Sequence, residues 1–120
     1  MNYKLYSPGE PLAHDWEAFA LRFVEALVGR DYAAACAMMT DSFRSAHSAA
    51  WLEMLIERLH ADTLEPLGPC RVYMSSPPVQ AGDLGVCYIE IGGEHSEAIT
   101  PLMIREGGQL AVRDLMIGRP

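Results

Sequence analysis

Two glycine pairs, Gly92-Gly93 and Gly107-Gly108, do most to limit what this chain can fold into. Each pair separates two strand-like runs, and paired glycines suit the two-residue hairpin loops whose backbone needs positive φ. The runs with strand character are CRVYMS, LGVCYIEI, SEAITPLMIR and QLAVRDLMIG. The second half of the chain is therefore predicted to be an antiparallel meander, with a bulge or an unpaired stretch near Pro101.

The first half of the chain has helical periodicity instead. Apolar residues three and four positions apart predict helices over residues 15–29, over YAAACAMM after Asp31, and over AAWLEMLIERLH after Ser48. The intervening TDSFRSAHS is predicted to be irregular. Together these elements predict an α+β domain in which three N-terminal helices pack on one face of a curved antiparallel β-sheet.

Length and charge restrict the organisation and the partners. The 120 residues, half of them hydrophobic, suit one domain, with an N-terminal extension over 1–13, a helical half over 14–62 and a sheet half over 68–118. A net charge of −7 with singly scattered basic residues argues against nucleic acid and against an anionic membrane surface as partners. No apolar run approaches the roughly 20 residues that span a bilayer, and no signal peptide is visible, so we expect a cytoplasmic protein.

The strand registers predict the two faces of the sheet. Counting outward from the glycine pairs places Glu90 opposite His95 and Arg105 opposite Leu110. The helix-facing side then holds Cys87, Ile89, Ile91, Ala98, Thr100, Leu102, Ile104, Ala111, Arg113, Leu115 and Ile117. Arg113 is the exception in this apolar set, because an unpaired buried guanidinium costs several kcal/mol and needs a carboxylate, a hydrated cavity or a ligand. The opposite face mixes apolar and acidic residues, and we expect a second copy of the chain to cover it in a homodimer.

Titratable residues are densest around the first glycine pair, at Glu90, Glu94, His95 and Glu97. Alternation puts Glu94 on the other face from Glu90 and His95, so a cross-strand ion pair is expected there rather than a metal site. The three cysteines are odd in number and widely spaced, which predicts reduced structural thiols. Neither a metal nor a cofactor is expected.

The spacing F..AL..RDY..A...M..DSFR, from Phe23 to Arg44, and the closing hairpin REGGQLAVRDL resemble the nuclear transport factor 2-like superfamily, whose fold is also called cystatin-like. The order of helices before a bent sheet is similar too, and the resemblance extends from about Trp16 to Ile117. It implies a cone-shaped pocket between the helices and the concave face of the sheet. The superfamily includes ketosteroid isomerase, scytalone dehydratase, polyketide cyclases and many small proteins without known activity.

By position, the resemblance places the isomerase's general base near His47, its proton-donating tyrosine at Phe23 and its oxyanion-binding aspartic acid near Thr100. The imidazole of His47 is a suitable base, whereas Phe23 and Thr100 lack the groups that the isomerase uses. The catalytic candidate is therefore His47. The candidate ligand contacts in the implied pocket are Arg113, Thr100, Tyr32, Tyr73 and Phe23.

Binding of a small apolar or anionic molecule near Arg113, without catalysis, is the favoured interpretation. One alternative is a cofactor-free isomerase, cyclase or hydratase that uses His47 as base and Arg113 to stabilise negative charge. Another is an interaction module that works only through its sheet face. An internal salt bridge to an acidic helix residue would explain Arg113 without any ligand, and His47 could simply be exposed at a helix end. Catalysis requires that His47 and Arg113 open into one pocket.

Overall fold

The computed structural model describes residues 3–62, 67–77, 80, 82–92 and 97–118. This part of the chain contains four helices and a five-stranded antiparallel sheet, so the predicted α+β class is confirmed. In chain order the elements are β1 (Lys4–Leu5), α1 (Asp15–Val28), α2 (Tyr32–Ala37), α3 (Asp41–Ala46), α4 (Ala49–Asp62), β2 (Arg71–Ser76), β3 (Asp83–Glu90), β4 (Ala98–Glu106) and β5 (Gln109–Ile117). No helix in the described ranges is long and apolar enough to cross a membrane.

The sheet is a meander, as predicted, with strand order β1-β2-β3-β4-β5. Its first strand comes from the segment that the sequence assigned to an N-terminal extension. Lys4 pairs with Ser75 of β2, and Leu5 pairs with Met74. A short strand therefore precedes the helices, and residues 4 and 5 belong to the sheet.

The other edge of the sheet is partly covered by residues 38–40, which run beside β5. Met39 and Val112 form an isolated parallel bridge there. The Thr40 amide donates to the Val112 carbonyl at 2.9 Å, and the Val112 amide donates to the Met38 carbonyl at 2.8 Å. These bonds fix the start of α3 against the last strand.

The helical half has four helices where three were predicted. Asp31 Oδ1 accepts a hydrogen bond from the Ala34 amide at 3.2 Å and caps α2, in agreement with the sequence. The stretch predicted to be irregular forms α3 instead. Thr40 Oγ1 caps this helix by accepting from the Phe43 amide at 3.1 Å, and the Phe43 side chain is buried in the core. Local capping and one anchored aromatic side chain explain why the short segment is helical.

The second hairpin has the register that the sequence predicts near its turn. Gly107 and Gly108 have φ of 60° and 82°, and Arg105 lies opposite Leu110. The pairing then shifts by one residue, because Arg113 is an extra residue in β5 and forms a bulge. Pro101 consequently lies opposite Leu115, one position from the prediction.

The predicted register of the first hairpin is wrong. Glu90 lies opposite Ala98 rather than His95. The Ile91 amide donates to the Glu97 carbonyl at 3.2 Å, which leaves residues 92–96 for the connection, and residues 93–96 lie outside the described ranges. Gly92 serves a close contact instead of a two-residue turn, because a Cβ there would lie 2.7 Å from the Gly68 carbonyl oxygen.

The register shift exchanges the two faces of β4. An odd shift turns the other set of side chains toward the helices. Ile99 and Met103 are therefore fully buried in the core, while Thr100 lies on the side turned away from the helices, in register with Met116. We call this side the outer face; one row across it comprises Leu5, Met74, Tyr88, Thr100 and Met116.

The hydrophobic core lies between the helices and the face of the sheet opposite the outer face. Helix α1 packs against α2, α4 and strands β2 to β5. The largest fully buried apolar side chains in this layer are Phe23, Leu27, Leu52, Ile56, Ile89, Ile91, Ile99 and Met103. Burial of such side chains stabilises the fold by about 1.5–3 kcal/mol each, so this layer holds the sheet and helices together.

Candidate functional site

Two of the residues predicted for the site meet in one pocket. His47 follows α3 and Arg113 lies in β5, yet both line a pocket of about 380 Å³ between α3 and the β4–β5 hairpin. The other lining residues are Thr40, Ser42, Phe43, Ala46, Ile104, Glu106 and Asp114. We call this space the His47 pocket. The condition that the sequence set for a catalytic interpretation is thus met in geometry, since one small ligand can touch both side chains.

Arg113 already has a carboxylate partner. Its Nε donates to Asp83 Oδ1 at 3.0 Å and its Nη2 donates to Asp83 Oδ2 at 2.9 Å. The Asp83 side chain is 4% exposed and that of Arg113 is 33% exposed, so the pair is covered on the carboxylate side. The sequence allowed an acidic helix residue as partner, whereas the structure uses a strand residue. Arg113 Nη1 makes no hydrogen bond to the described part of the chain and can meet a ligand.

His47 is held by aromatic contacts. Its ring lies 4.1 Å from the ring centre of Trp51 and 5.0 Å from that of Phe43. Nδ1 is buried and has no hydrogen-bond partner among the described residues. An unpaired buried polar atom costs about 1–3 kcal/mol, which is unusual for a purely structural histidine. With Nδ1 closed off, Nε2 is the ring nitrogen that can reach a ligand.

Acidic groups outnumber basic ones around the pocket. Glu106 Oε1 accepts a hydrogen bond from the Asp41 amide at 3.1 Å, and Asp114 Oδ1 accepts from the Leu115 amide at 2.8 Å. Both carboxylates line the pocket, where Arg113 is the single basic lining residue besides the imidazole. The carboxylates of Glu106 and Asp114 lower the attraction of the pocket for an anion, and the bidentate pairing with Asp83 leaves Arg113 little charge to offset them.

The other four predicted ligand contacts lie elsewhere. Phe23 is fully buried in the core, and Thr100 is on the outer face rather than on the helix-facing side. Tyr32 donates to Glu57 Oε1 at 3.4 Å on the helical surface. Tyr73 is in β2 and is 40% exposed. None of these four side chains lines the His47 pocket.

Glu90, next to the first glycine pair, forms an ion pair with Arg71. Glu90 Oε2 lies 3.3 Å from Arg71 Nη2 across β2 and β3, whereas the predicted partner His95 lies outside the described residues. Within the described ranges, no group of three His, Cys, Asp or Glu side chains is arranged to hold a metal ion. Burial raises the pKa of Cys70 to about 11 and also raises that of Cys87, so both are protonated thiols and weak nucleophiles at neutral pH.

A fully buried carboxylate is the feature that sequence reasoning missed. The local sequence of α1 does not mark Glu17 as buried, but its exposure is 0%. The Tyr6 hydroxyl lies 2.7 Å from both carboxylate oxygens and donates to them, and the His14 amide donates to Oε1 at 2.8 Å. The N-terminal segment covers this turn of the helix, which a one-helix pattern cannot show.

The Tyr6 hydroxyl joins two parts of the N-terminal segment. It accepts a hydrogen bond from the Ala13 amide at 3.1 Å while it donates to Glu17. Burial raises the pKa of Tyr6 to about 12, and the Glu17 carboxylate adds to this increase. The available sequence signal was the position of Glu17, three residues after His14 at the helix start, where a glutamate often returns to the capping amide.

No protein-family model, no curated protein and no solved structure matches this chain. The resemblance to the nuclear transport factor 2-like superfamily therefore stays a prediction from the sequence pattern. A functional proposal for the chain rests on its fold and on the geometry of its pockets.

Proposed function

We propose that this protein binds a small neutral molecule in the His47 pocket. The observation that carries the proposal is the convergence of His47 and Arg113 on one space. Ligand sites are usually concave spaces of about 300–1,000 Å³ with apolar walls and a few polar groups that converge. The pocket has that form: Phe43, Ala46 and Ile104 are apolar, while Nε2 of the imidazole and Nη1 of the guanidinium are available for hydrogen bonds.

The charge around the pocket selects the ligand class. The sequence favoured an apolar or anionic molecule because Arg113 stood alone on its face. Asp83 now accounts for the charge of Arg113, and Glu106 and Asp114 would repel an anion. A neutral molecule with an aromatic or apolar body and one hydrogen-bonding group suits this lining best.

We also propose that the chain is a nuclear transport factor 2-like protein with a cystatin-like fold. Support comes from the order of helices before an antiparallel meander and from three register shifts, which bend strands. The cysteines at positions 36, 70 and 87 are free thiols, which suits a reducing compartment such as the cytoplasm.

The binding proposal can be tested with Trp51 as the reporter, because its ring lies against His47. The chain has two tryptophans, so Trp16→Phe leaves Trp51 alone. We expect benzamide to change Trp51 emission in this variant, and benzoate, which has the same ring but a negative charge, to bind about fivefold more weakly or worse.

The matched controls are two leucine substitutions on α3. Ala46→Leu fills the pocket, whereas the neighbouring Ser45 is exposed and does not line it. Benzamide binding should be lost in Ala46→Leu and kept in Ser45→Leu, both made in the Trp16→Phe background. Equal binding by the two variants, or a preference for benzoate, would contradict the proposal.

The second candidate is a cofactor-free enzyme, and the unpaired Nδ1 of His47 favours it. In this interpretation Nε2 would remove a proton from a carbon next to a carbonyl group, and Arg113 Nη1 would stabilise the enolate oxygen. The ion pair with Asp83 weakens the second role, which is why binding is the leading proposal. Deuterium exchange at the α-carbon of acetophenone, followed by NMR, should be accelerated by the protein and not by His47→Gln. No acceleration by the unmodified protein removes this candidate.

We further propose a homodimer through the outer face. Leu5 and Met116 lie at opposite ends of the row across the five strands and are 53% and 56% exposed. Strands are about 4.8 Å apart, so this strip is about 19 Å long; Met74 and Tyr88 within it are half-buried, and Thr100 is polar and 2% exposed. A second copy would cover the strip with the same strip, as a twofold interface requires. The same surface would serve a different protein if the domain were only an interaction module.

Light scattering after gel filtration tests the dimer, with an expected mass of twice 13.2 kDa. Met116→Glu places a charge in the strip and should shift the protein to monomer. Met54→Glu is the matched control, because Met54 is similarly exposed at 48% but lies on α4. A monomeric mass for the unmodified protein at micromolar concentration would count against the dimer and leave the pocket proposal untouched.

A further inference from the structure

A second space lies toward the other edge of the sheet, where α1 begins. It has a volume of about 330 Å³ and is formed by the first turn of α1, by β1 and by the ends of β2 and β3. Its lining comprises Tyr3, Lys4, His14, Trp16, Ser75, Ser76, Pro77 and Leu84. We call it the Trp16 cleft. It shares no lining residue with the His47 pocket.

One wall of the Trp16 cleft is an aromatic stack that is fixed in place. The ring of His14 stacks on Trp16 at 5.5 Å with an angle of 12° between the planes. The indole is seated on Gly85, where a Cβ would lie 2.6 Å from Trp16 Cη2 and 2.6 Å from the Ser76 carbonyl oxygen. Only a glycine admits the indole at this point of β3, so the wall is a built feature of the fold.

The polar side chains among the described lining residues of the cleft can donate hydrogen bonds, and none carries a negative charge. Ser75 is 6% exposed, and its hydroxyl makes no hydrogen bond to the described part of the chain although it lines the cleft. Lys4 Nζ donates to Glu10 at 2.7 Å, so Glu10 offsets part of its charge, but an ammonium group has three donors and two remain for a ligand. No carboxylate is among the described residues that line the cleft, in contrast to the His47 pocket.

From this lining we propose that the Trp16 cleft is a binding site for a small aromatic carboxylate. The ring of such a ligand would pack against the indole, and its carboxylate would accept hydrogen bonds from Lys4 Nζ and the Ser75 hydroxyl. The unpaired Ser75 hydroxyl gains a partner when the ligand binds. The proposal is independent of the His47 pocket, whose lining favours neutral molecules.

The two tryptophans allow the sites to be measured separately. Trp51→Phe leaves Trp16 as the reporter of the cleft, and Trp51 does not line the cleft. We expect benzoate to change Trp16 emission in this variant at lower concentrations than benzamide does. Lys4→Gln in the same background should weaken benzoate binding by about fivefold, the effect of one solvent-screened charge at contact.

Arg30→Gln is the matched control. It also removes one positive charge from an exposed ion pair of 2.7 Å, that of Arg30 with Glu57, but it lies in neither lining. Benzoate binding should be unchanged in Arg30→Gln. Equal effects of the two variants, or equal responses of Trp16 to benzoate and benzamide, would overturn the proposal.

A second measurement needs no substitution. Lys4 is the one lysine of the chain, so acetylation at that position can be followed by peptide mass spectrometry. Benzoate should slow the acetylation of Lys4 by N-hydroxysuccinimidyl acetate, while benzamide at the same concentration should not. An unchanged rate with benzoate, together with a silent Trp16, refutes the carboxylate site. That outcome would not bear on the His47 pocket, which the Trp51 experiment tests separately.

Discussion

Replacing Tyr6 with phenylalanine tests whether the buried Glu17 carboxylate depends on the N-terminal segment. The substitution removes the hydroxyl that donates to both oxygens of Glu17 and accepts from the Ala13 amide. Glu17 keeps one described donor, the His14 amide at 2.8 Å, and stays fully buried. The carboxylate therefore loses its side-chain partner without gaining access to water.

The magnitude follows from the bonds that are lost. A hydrogen bond to a charged group contributes about 1.5–3 kcal/mol, and the upper part of this range is expected for a fully buried carboxylate. The Ala13 amide adds little, because Ala13 is exposed and water can replace its lost acceptor. We expect Tyr6→Phe to lower the free energy of unfolding by about 3 kcal/mol, a large share of the 5–15 kcal/mol typical of a domain. Urea denaturation at neutral pH, followed by circular dichroism, measures this difference.

Tyr32→Phe is the matched control for this experiment. Its hydroxyl also donates to a glutamate, but at 3.4 Å and to Glu57, which is 48% exposed. The loss there should be below about 0.5 kcal/mol, because water replaces the bond. If Tyr6→Phe lowers the unfolding free energy no more than Tyr32→Phe does, then burial of Glu17 does not strengthen its hydrogen bond with Tyr6, contrary to expectation. Glu17→Gln combined with Tyr6→Phe gives the coupling between the two side chains directly.

Three further predictions are measured by urea denaturation, and a fourth is measured by the reactivity of a thiol. The pKa of Tyr6 is raised to about 12, so the stability that Tyr6 contributes should be full below pH of about 10 and lost as pH rises through 12. The Tyr6→Phe variant should lose less stability over this pH range than the unmodified protein, and an equal loss in both would contradict the prediction. Gly85→Ala should lower the unfolding free energy by about 2–4 kcal/mol, because the added Cβ would overlap Trp16 and the Ser76 carbonyl oxygen. The control is Gly82→Ala, which has open space around it and should cost only about 1 kcal/mol, because of its positive φ. Asp83→Asn should lower the unfolding free energy by about 2 kcal/mol, which is less than for a fully buried ion pair because Arg113 is one-third exposed. The control is Asp41→Asn, which should cost under about 1 kcal/mol because the Asp41–Arg44 pair is exposed. Similar losses in the two variants would show that burial of Asp83 is unimportant. Cys87, which is fully buried and has a raised pKa, should react with a disulfide reagent only after unfolding, and a fast reaction in native protein would refute this.

The sequence predicted the elements of this fold better than it predicted their pairing. The strand runs and the second glycine pair are local signals, and β2 to β5 and the Arg105–Leu110 register agree with them. The first glycine pair misled the count because Gly92 is needed for its contact with Gly68, a residue 24 positions away in the chain. Long-range contacts of this kind leave no trace in local spacing, and a single odd shift reversed the face assigned to Thr100.

The same limit applies to the candidate site. Arg113 was found because it was out of place on an apolar face, and His47 was found by its position in the resemblance to the nuclear transport factor 2-like superfamily. The structure brings the two into one pocket. Asp83 and Glu17 were missed because nothing in their local sequence marks them as buried. Their burial depends on distant residues, Arg113 in the first case and Tyr6 in the second. Tyr73 was selected for its hydroxyl alone, and residue type without placement was a poor guide.

The parallel bridge between Met39 and Val112 has a consequence for how copies of this chain can aggregate. Exposed strand edges recruit further strands, and this is the usual route to open-ended fibres. Here hydrogen bonds to residues 38 and 40 occupy the middle of the last strand, and the first strand offers a template only two residues long. Sideways growth of the described part of the sheet is thus opposed at both edges, so the homodimer proposed above would have to form through a face of the sheet.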